Sequence, residues 1–117
     1  MISKLEEISI QRKRAHTKLL ANSSKIYDCF LTMERLAYAD GALSKKHKEL
    51  IGLGIALVDN CESAMQWHVE QATIAGASFE EQLEAIEVAI EMGGAVATVY
   101  ARFALASMEG LGVRPSR

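Results

Sequence analysis

A cysteine and a histidine, Cys61 and His68, stand seven residues apart in a segment whose pattern predicts a helix. At about 100° per residue, seven steps return almost to the starting direction, so the thiol and the imidazole share one helix face two turns apart. Ala64 lies between them on that face. A thiol at a helix start beside an imidazole is expected to favour its thiolate form, and histidine can act as a base near neutral pH. The spacing therefore indicates thiol or acid/base chemistry.

Six predicted helices must position these side chains. The one proline, Pro115, lies in the tail, and no alternating pattern indicates a strand. Glycine, serine and aspartate punctuation divides the chain into helices over about 2–20, 25–39, 45–59, 61–75, 79–92 and 95–109. We predict an all-α fold in a single domain spanning residues 1–117, with a flexible tail at 110–117.

Local signals place the ends of these helices. Ser23 or Ser24, Ser44 and the pair Asp59-Asn60 are predicted N-caps, and Ser78 with Glu81 forms a predicted capping box. Asp40-Gly41 and Gly76 are predicted to end helices, since glycine tolerates a left-handed conformation.

The third helix is predicted to be the central buried one, because its second half, residues 50–58, is apolar all round. Gly52 and Gly54 cost about 1 kcal/mol each in a helix relative to alanine. Close approach of another helix or of a ligand would account for them. The second helix carries its own apolar stripe through Ile26, Phe30 and Met33.

Composition excludes several classes of protein. The formal net charge of −2 and the pI of about 5.9 argue against a nucleic-acid partner. No apolar run approaches the roughly 18 residues of a membrane span, and the N-terminus lacks the apolar core of a signal peptide. The two cysteines are too few for a disulfide scaffold. We therefore expect a reduced, cytoplasmic protein without a membrane contact.

The order Glu49, Cys61, His68, with intervals of twelve and seven residues, resembles the pattern of the carboxymuconolactone decarboxylase / alkylhydroperoxidase D family. Residues 40–51, 72–81 and 92–94 resemble the entry to the family's central helix, its next turn and its last joint. The resemblance covers about residues 39–104. It implies an all-helical homo-oligomer, a trimer or hexamer, with a small-molecule substrate and no cofactor. It also implies catalytic roles for Glu49, Cys61 and His68.

The chain departs from the redox branch of that family at Ala64. That branch carries Cys-x-x-Cys-x-x-x-His and cycles the two thiols through a disulfide, whereas alanine replaces the second cysteine here. Cys29 is the one other cysteine, and it would need its Cα within about 7 Å of that of Cys61 to substitute.

Three functions stay open from the sequence. Cys61 could reduce a hydroperoxide as a single thiol, forming a sulfenic acid that an external thiol resolves. Glu49 and His68 could instead perform proton transfers in the decarboxylation of a small lactone or carboxylate, which the decarboxylase branch achieves without the cysteine pair. The third possibility is a non-catalytic helical oligomer that retains the fold.

No metal-binding spacing such as His-Glu-x-x-His is present, so we predict no metal site.

Overall fold

The computed structural model describes residues 3–116 and contains six α-helices, with no strand in that range. They are α1 Lys4–Ala21, α2 Lys25–Ala37, α3 Lys45–Val58, α4 Glu62–Ile74, α5 Phe79–Gly93 and α6 Ala95–Gly110. The predicted all-α fold of six helices is confirmed. The predicted start of the first helix at residue 2 lies outside the described residues.

Serine side chains begin the helices where the sequence predicts them. The hydroxyls of Ser24 and Ser44 accept hydrogen bonds from backbone N–H groups in the first turns of α2 and α3. Ser78 and Glu81 form the predicted capping box at α5, since each side chain bonds the other's backbone N–H. Such caps stabilise a helix by about 1 kcal/mol each, because the first N–H groups have no partner inside the helix.

Two predicted helix ends are wrong. The second helix stops at Ala37, and Asp40 lies in the loop, where its carboxylate accepts the Lys45 N–H at 2.7 Å. Asp59-Asn60 does not cap α4, because Asn60 has a left-handed φ of 58° while an N-cap needs extended backbone. Cys61 takes the N-cap position instead, without a side-chain capping bond.

The core lies where α3, α4, α5 and α6 pack against one another. Its fully buried side chains come from all four helices and include Leu53, Leu57, Met65, Val69, Ile86 and Met108. The joint between α5 and α6 is made by Gly94, whose φ of 72° confirms the predicted break there. This four-helix core holds α3 and α4 side by side, which fixes the candidate site.

The prediction that α3 is the central buried helix holds for one of its faces only. Leu53 and Leu57 are fully buried, but Ile51, Ile55 and Val58 on the opposite face are about half exposed. Neither α1 nor α2 contains a buried residue, although α1 contacts α4 and α2 contacts α1. The apolar pattern extends around the second half of α3, but within residues 3–116 the other helices cover only one of its faces.

Candidate functional site

Glu49 and His68 meet between α3 and α4. His68 Nδ1 lies 2.8 Å from Glu49 Oε1. Because an ionised carboxylate only accepts hydrogen bonds, Nδ1 carries the proton in this contact, and Nε2 of a neutral ring is left as an acceptor. The sequence-predicted pair is therefore in direct contact, in an arrangement that can take up a proton at Nε2 and stabilise the resulting imidazolium.

The Glu49 carboxylate is almost fully buried, at 2% exposure. Its second oxygen accepts a hydrogen bond from Lys45 Nζ at 2.6 Å, one helical turn earlier. Burial raises the pKa of Glu49, but the hydrogen bonds and positive charges of His68 and Lys45 outweigh burial, so its pKa lies below the usual value. The carboxylate is consequently ionised at neutral pH, as an orienting partner for an imidazole must be.

Gly52 provides the space that the His68 ring occupies. A Cβ placed on Gly52 would lie 2.7 Å from His68 Cε1 and 2.8 Å from the Tyr38 hydroxyl. Both distances are too short for any side chain. The close approach expected for the helix glycines is therefore found at Gly52, whose neighbours are the candidate site itself. Gly54 faces the α5 backbone instead, where a Cβ would lie 3.7 Å from the Ala85 carbonyl oxygen.

Tyr38, the C-cap residue of α2, completes the surroundings of the imidazole. Its ring is tilted by 33° against His68 at a centroid distance of 5.5 Å, and Lys45 Nζ lies 5.8 Å from its centroid. Burial raises the pKa of the Tyr38 hydroxyl, and the negative charges of Glu49 and Glu34 raise it further. Tyr38 therefore stays protonated and can donate a hydrogen bond at neutral pH.

A cavity of about 280 Å³ opens beside this cluster. Glu49 lies in its wall, and Trp67 contributes from α4. The complete lining comprises Glu34, Arg35, Tyr38, Ala39, Lys45, Glu49, Trp67 and Gln71. Two cations, two carboxylates, a phenol and an indole thus surround a space suited to a small polar molecule.

Cys61 lies apart from the Glu49–His68 pair. It is exposed at the start of α4, and its side chain makes no hydrogen bond within residues 3–116. The seven-residue interval to His68 corresponds to about 10 Å along the helix axis. Ala64, one turn before His68, packs against the core. Cys29 is also exposed on α2, and both cysteines are free thiols.

Two residues next to the Glu49–His68 pair, Lys45 and Tyr38, were not predicted from the sequence. Lys45 stands four residues before Glu49, and this ion-pair spacing was a readable signal. Tyr38 gives no such signal, since it comes from a separate helix that reaches the site only through the fold.

Across residues 3–116 no group of three His, Cys, Asp or Glu side chains could hold a metal ion. Among the helices of residues 3–116, none combines the length and the apolar composition of a membrane-spanning segment.

Solved structures resemble this chain over most of its length. A crystal structure of a carboxymuconolactone decarboxylase family protein from Legionella pneumophila superposes with a TM-score of 0.88 and 30% identity, covering 92% of this chain and 96% of that one. A second, from Thermotoga maritima, has a TM-score of 0.79 and 27% identity, covering 88% of each chain. That protein is described as a member of the same family with a possible involvement in the antioxidative response.

Sequence comparisons agree with the structural ones. The chain is 40% identical over 86 residues to uncharacterized protein 4 in the cox locus of Paracoccus denitrificans, covering 74% of this chain and 78% of the relative. Residues 25–107 match the model of the carboxymuconolactone decarboxylase family. This match spans α2 to most of α6 and includes Glu49, Cys61 and His68. The chain therefore belongs to the carboxymuconolactone decarboxylase family.

Proposed function

We propose that this protein is a cofactor-free enzyme that reduces hydroperoxides with Cys61 as its single reacting thiol. In this proposal the Glu49–His68 pair supplies and accepts the protons. The observation that carries it is the 2.8 Å hydrogen bond between a buried carboxylate and an imidazole on α4, the helix that begins at the exposed Cys61. Burying an ionised carboxylate costs free energy. Glu49 offsets this cost if it holds His68 in the tautomer whose Nε2 is free to accept a proton.

The reaction balances with one hydroperoxide and two thiols. The Cys61 thiolate attacks the terminal peroxide oxygen, the O–O bond breaks, and the alkoxide leaves as an alcohol after taking a proton. Cys61 is thereby oxidised to a sulfenic acid. A first external thiol condenses with it to a mixed disulfide and releases water, and a second external thiol releases Cys61 with formation of the external disulfide. Because Ala64 provides no second thiol, the reductant must come from outside the chain.

His68 serves as the proton donor and acceptor in this scheme. Its Nε2 can take the proton of the thiol and return it to the departing alkoxide, while Glu49 stabilises the charged ring. The roughly 10 Å between Cys61 and His68 along α4 is too long for a direct hydrogen bond. We therefore assign the connection to water or to the bound peroxide. The possible antioxidative role of the Thermotoga maritima relative supports this class of reaction.

Hydroperoxide consumption with an added dithiol tests the proposal. Wild type is compared with Cys61→Ser and with Cys29→Ser as the matched cysteine control. We expect Cys61→Ser to lose all protein-dependent consumption and Cys29→Ser to retain it. Equal rates for wild type and Cys61→Ser would exclude thiol chemistry at Cys61.

The cavity favours a second candidate, acid/base catalysis on a small lactone or carboxylate. Glu49 lies in the cavity wall with Lys45 and Arg35, which could bind a carboxylate, whereas Cys61 does not line it. His68 does not line the cavity either and is connected to it through the hydrogen bond to Glu49. In this case His68→Ala would abolish decarboxylation of a lactone acid while Cys61→Ser would leave it intact. If neither substrate class is turned over by wild type, the protein is a non-catalytic member of the family.

A further inference from the structure

Trp67 is the large aromatic side chain that α4 contributes to the 280 Å³ cavity, and the chain has no other tryptophan. It stands directly before His68 in the sequence and shares the cavity wall with Glu49. An indole has a single polar anchor, its N–H group, so its position depends mainly on what packs against the faces of its rings. The group that holds this indole in place therefore affects what the cavity can bind.

Arg12 of α1 covers the ring of Trp67. Its guanidinium carbon lies 5.4 Å from the ring centroid, which is within the range of a cation–π contact. Arg12 Nη1 donates a 2.8 Å hydrogen bond to Gln66 Oε1, and Nη2 lies 3.6 Å from Glu70 Oε2 in an ion pair. Gln66 and Glu70 are neighbours on the α4 surface, one turn apart, and together they hold the guanidinium over the indole.

Anchoring α1 to α4 does not by itself explain an arginine at this position. Nη2 of Arg12 is buried and has no hydrogen-bond partner within residues 3–116, and a buried unpaired donor costs free energy. Lys4 and Glu62 already join α1 to α4 through a surface ion pair of 3.0 Å. Arginine is suited to stacking on aromatic faces, so the contact that favours it here is the one with the indole.

The same helix also contacts the α2 side of the cavity. His16 lies one turn after Arg12 on the same face of α1, and its Nδ1 is in hydrogen-bond contact with the Tyr27 hydroxyl of α2. The end of α2 places Tyr38 in the cavity wall. Two helices that line the cavity, α2 and α4, are therefore both held by α1, which precedes the residues 25–107 that match the family model.

We propose that Arg12 is a positioning residue, which holds the Trp67 indole in the cavity wall and thereby preorganises the cavity for its substrate. Arg12 acts through Trp67 and touches no reacting atom. The inference rests on the proposed function in one respect, that the hydroperoxide occupies the cavity beside Glu49. A held indole loses less conformational entropy on binding than a mobile one, so Arg12 affects substrate affinity and leaves the chemical step unchanged.

Acrylamide quenching of the Trp67 fluorescence tests the contact without turnover, since no other tryptophan contributes. Arg12→Ala uncovers one face of the indole, so the quenching constant should rise about twofold. Arg14→Ala removes an exposed arginine of the same helix, and Lys4→Ala removes the surface ion pair to α4. Both controls should keep the wild-type value, and Arg12→Lys should lie between wild type and Arg12→Ala. Circular dichroism verifies that each variant is folded.

Steady-state kinetics with cumene hydroperoxide and an added dithiol test the effect on the substrate. KM should rise about three- to tenfold in Arg12→Ala at an unchanged kcat, because one large side chain must then be ordered on binding. Unchanged quenching in Arg12→Ala, an equal rise in Lys4→Ala, or a wild-type KM in Arg12→Ala would each overturn the proposal. If wild type consumes no hydroperoxide, the proposed function fails, whereas the quenching comparison still decides whether Arg12 holds Trp67.

Discussion

Nδ1 of His68 lies 2.8 Å from Oε1 of Glu49, across the contact between α3 and α4. This hydrogen bond joins a buried carboxylate to an imidazole that is packed against Gly52 and Tyr38.

Gly52→Ala should displace the His68 ring and weaken the hydrogen bond to Glu49. The new Cβ would lie 2.7 Å from His68 Cε1, and overpacking of this kind costs about 1–3 kcal/mol. Activity should fall at least about tenfold, since the base is no longer held in place. Gly54→Ala is the matched control, because its Cβ would meet the Ala85 carbonyl oxygen at an ordinary 3.7 Å. Urea unfolding and turnover of both variants check this, and equal behaviour of the two would contradict it.

Glu49→Gln should lower stability in a pH-dependent way. The pKa of Glu49 in the folded protein is below its ordinary value of 4.5, so folding favours the charged form. This stability is present above about pH 4.5 and is lost as the pH falls through the folded pKa. The free energy of unfolding of wild type should therefore exceed that of the variant by about 1–3 kcal/mol at pH 7 and by less at pH 3. A difference that is unchanged or larger at pH 3 would contradict the assigned charge state.

Tyr38→Phe should lower turnover more than it lowers stability. The raised pKa of Tyr38 keeps its hydroxyl protonated as a donor beside His68, in the wall of the 280 Å³ cavity. We expect kcat to fall about tenfold, the effect of losing one hydrogen bond of roughly 1.4 kcal/mol in the transition state. Tyr100→Phe on α6 is the control, since Tyr100 packs against the core and does not line this cavity. If both variants keep the wild-type kcat, Tyr38 has no part in the reaction.

Much of the fold could be predicted because its signals are local. Ser24, Ser44 and Ser78 each act on the first turn that follows them, so sequence order alone places these helix starts. Asn60 misled the prediction because its side chain suits both an N-cap and a left-handed helix end, and the chain geometry selects the second.

The site was predictable only in part. The resemblance to the family pattern singled out Glu49 together with Cys61 and His68, and the structure places Glu49 and His68 in contact. Tyr38 was not predicted, because no sequence interval connects the end of α2 with α4. The exposed face of α3 was not predicted either, since an apolar pattern does not tell which faces of a helix the rest of the chain covers.

The measurement that tests the central claim most directly is the trapping of Cys61 as a sulfenic acid. The protein is mixed with one equivalent of hydroperoxide and dimedone, and the adduct is located and timed by mass spectrometry. We predict an adduct on Cys61 in wild type, forming about 10²-fold more slowly in His68→Ala because the proton donor is lost. An absence of adduct on Cys61, or an equal rate in the two proteins, would contradict the proposed thiol chemistry.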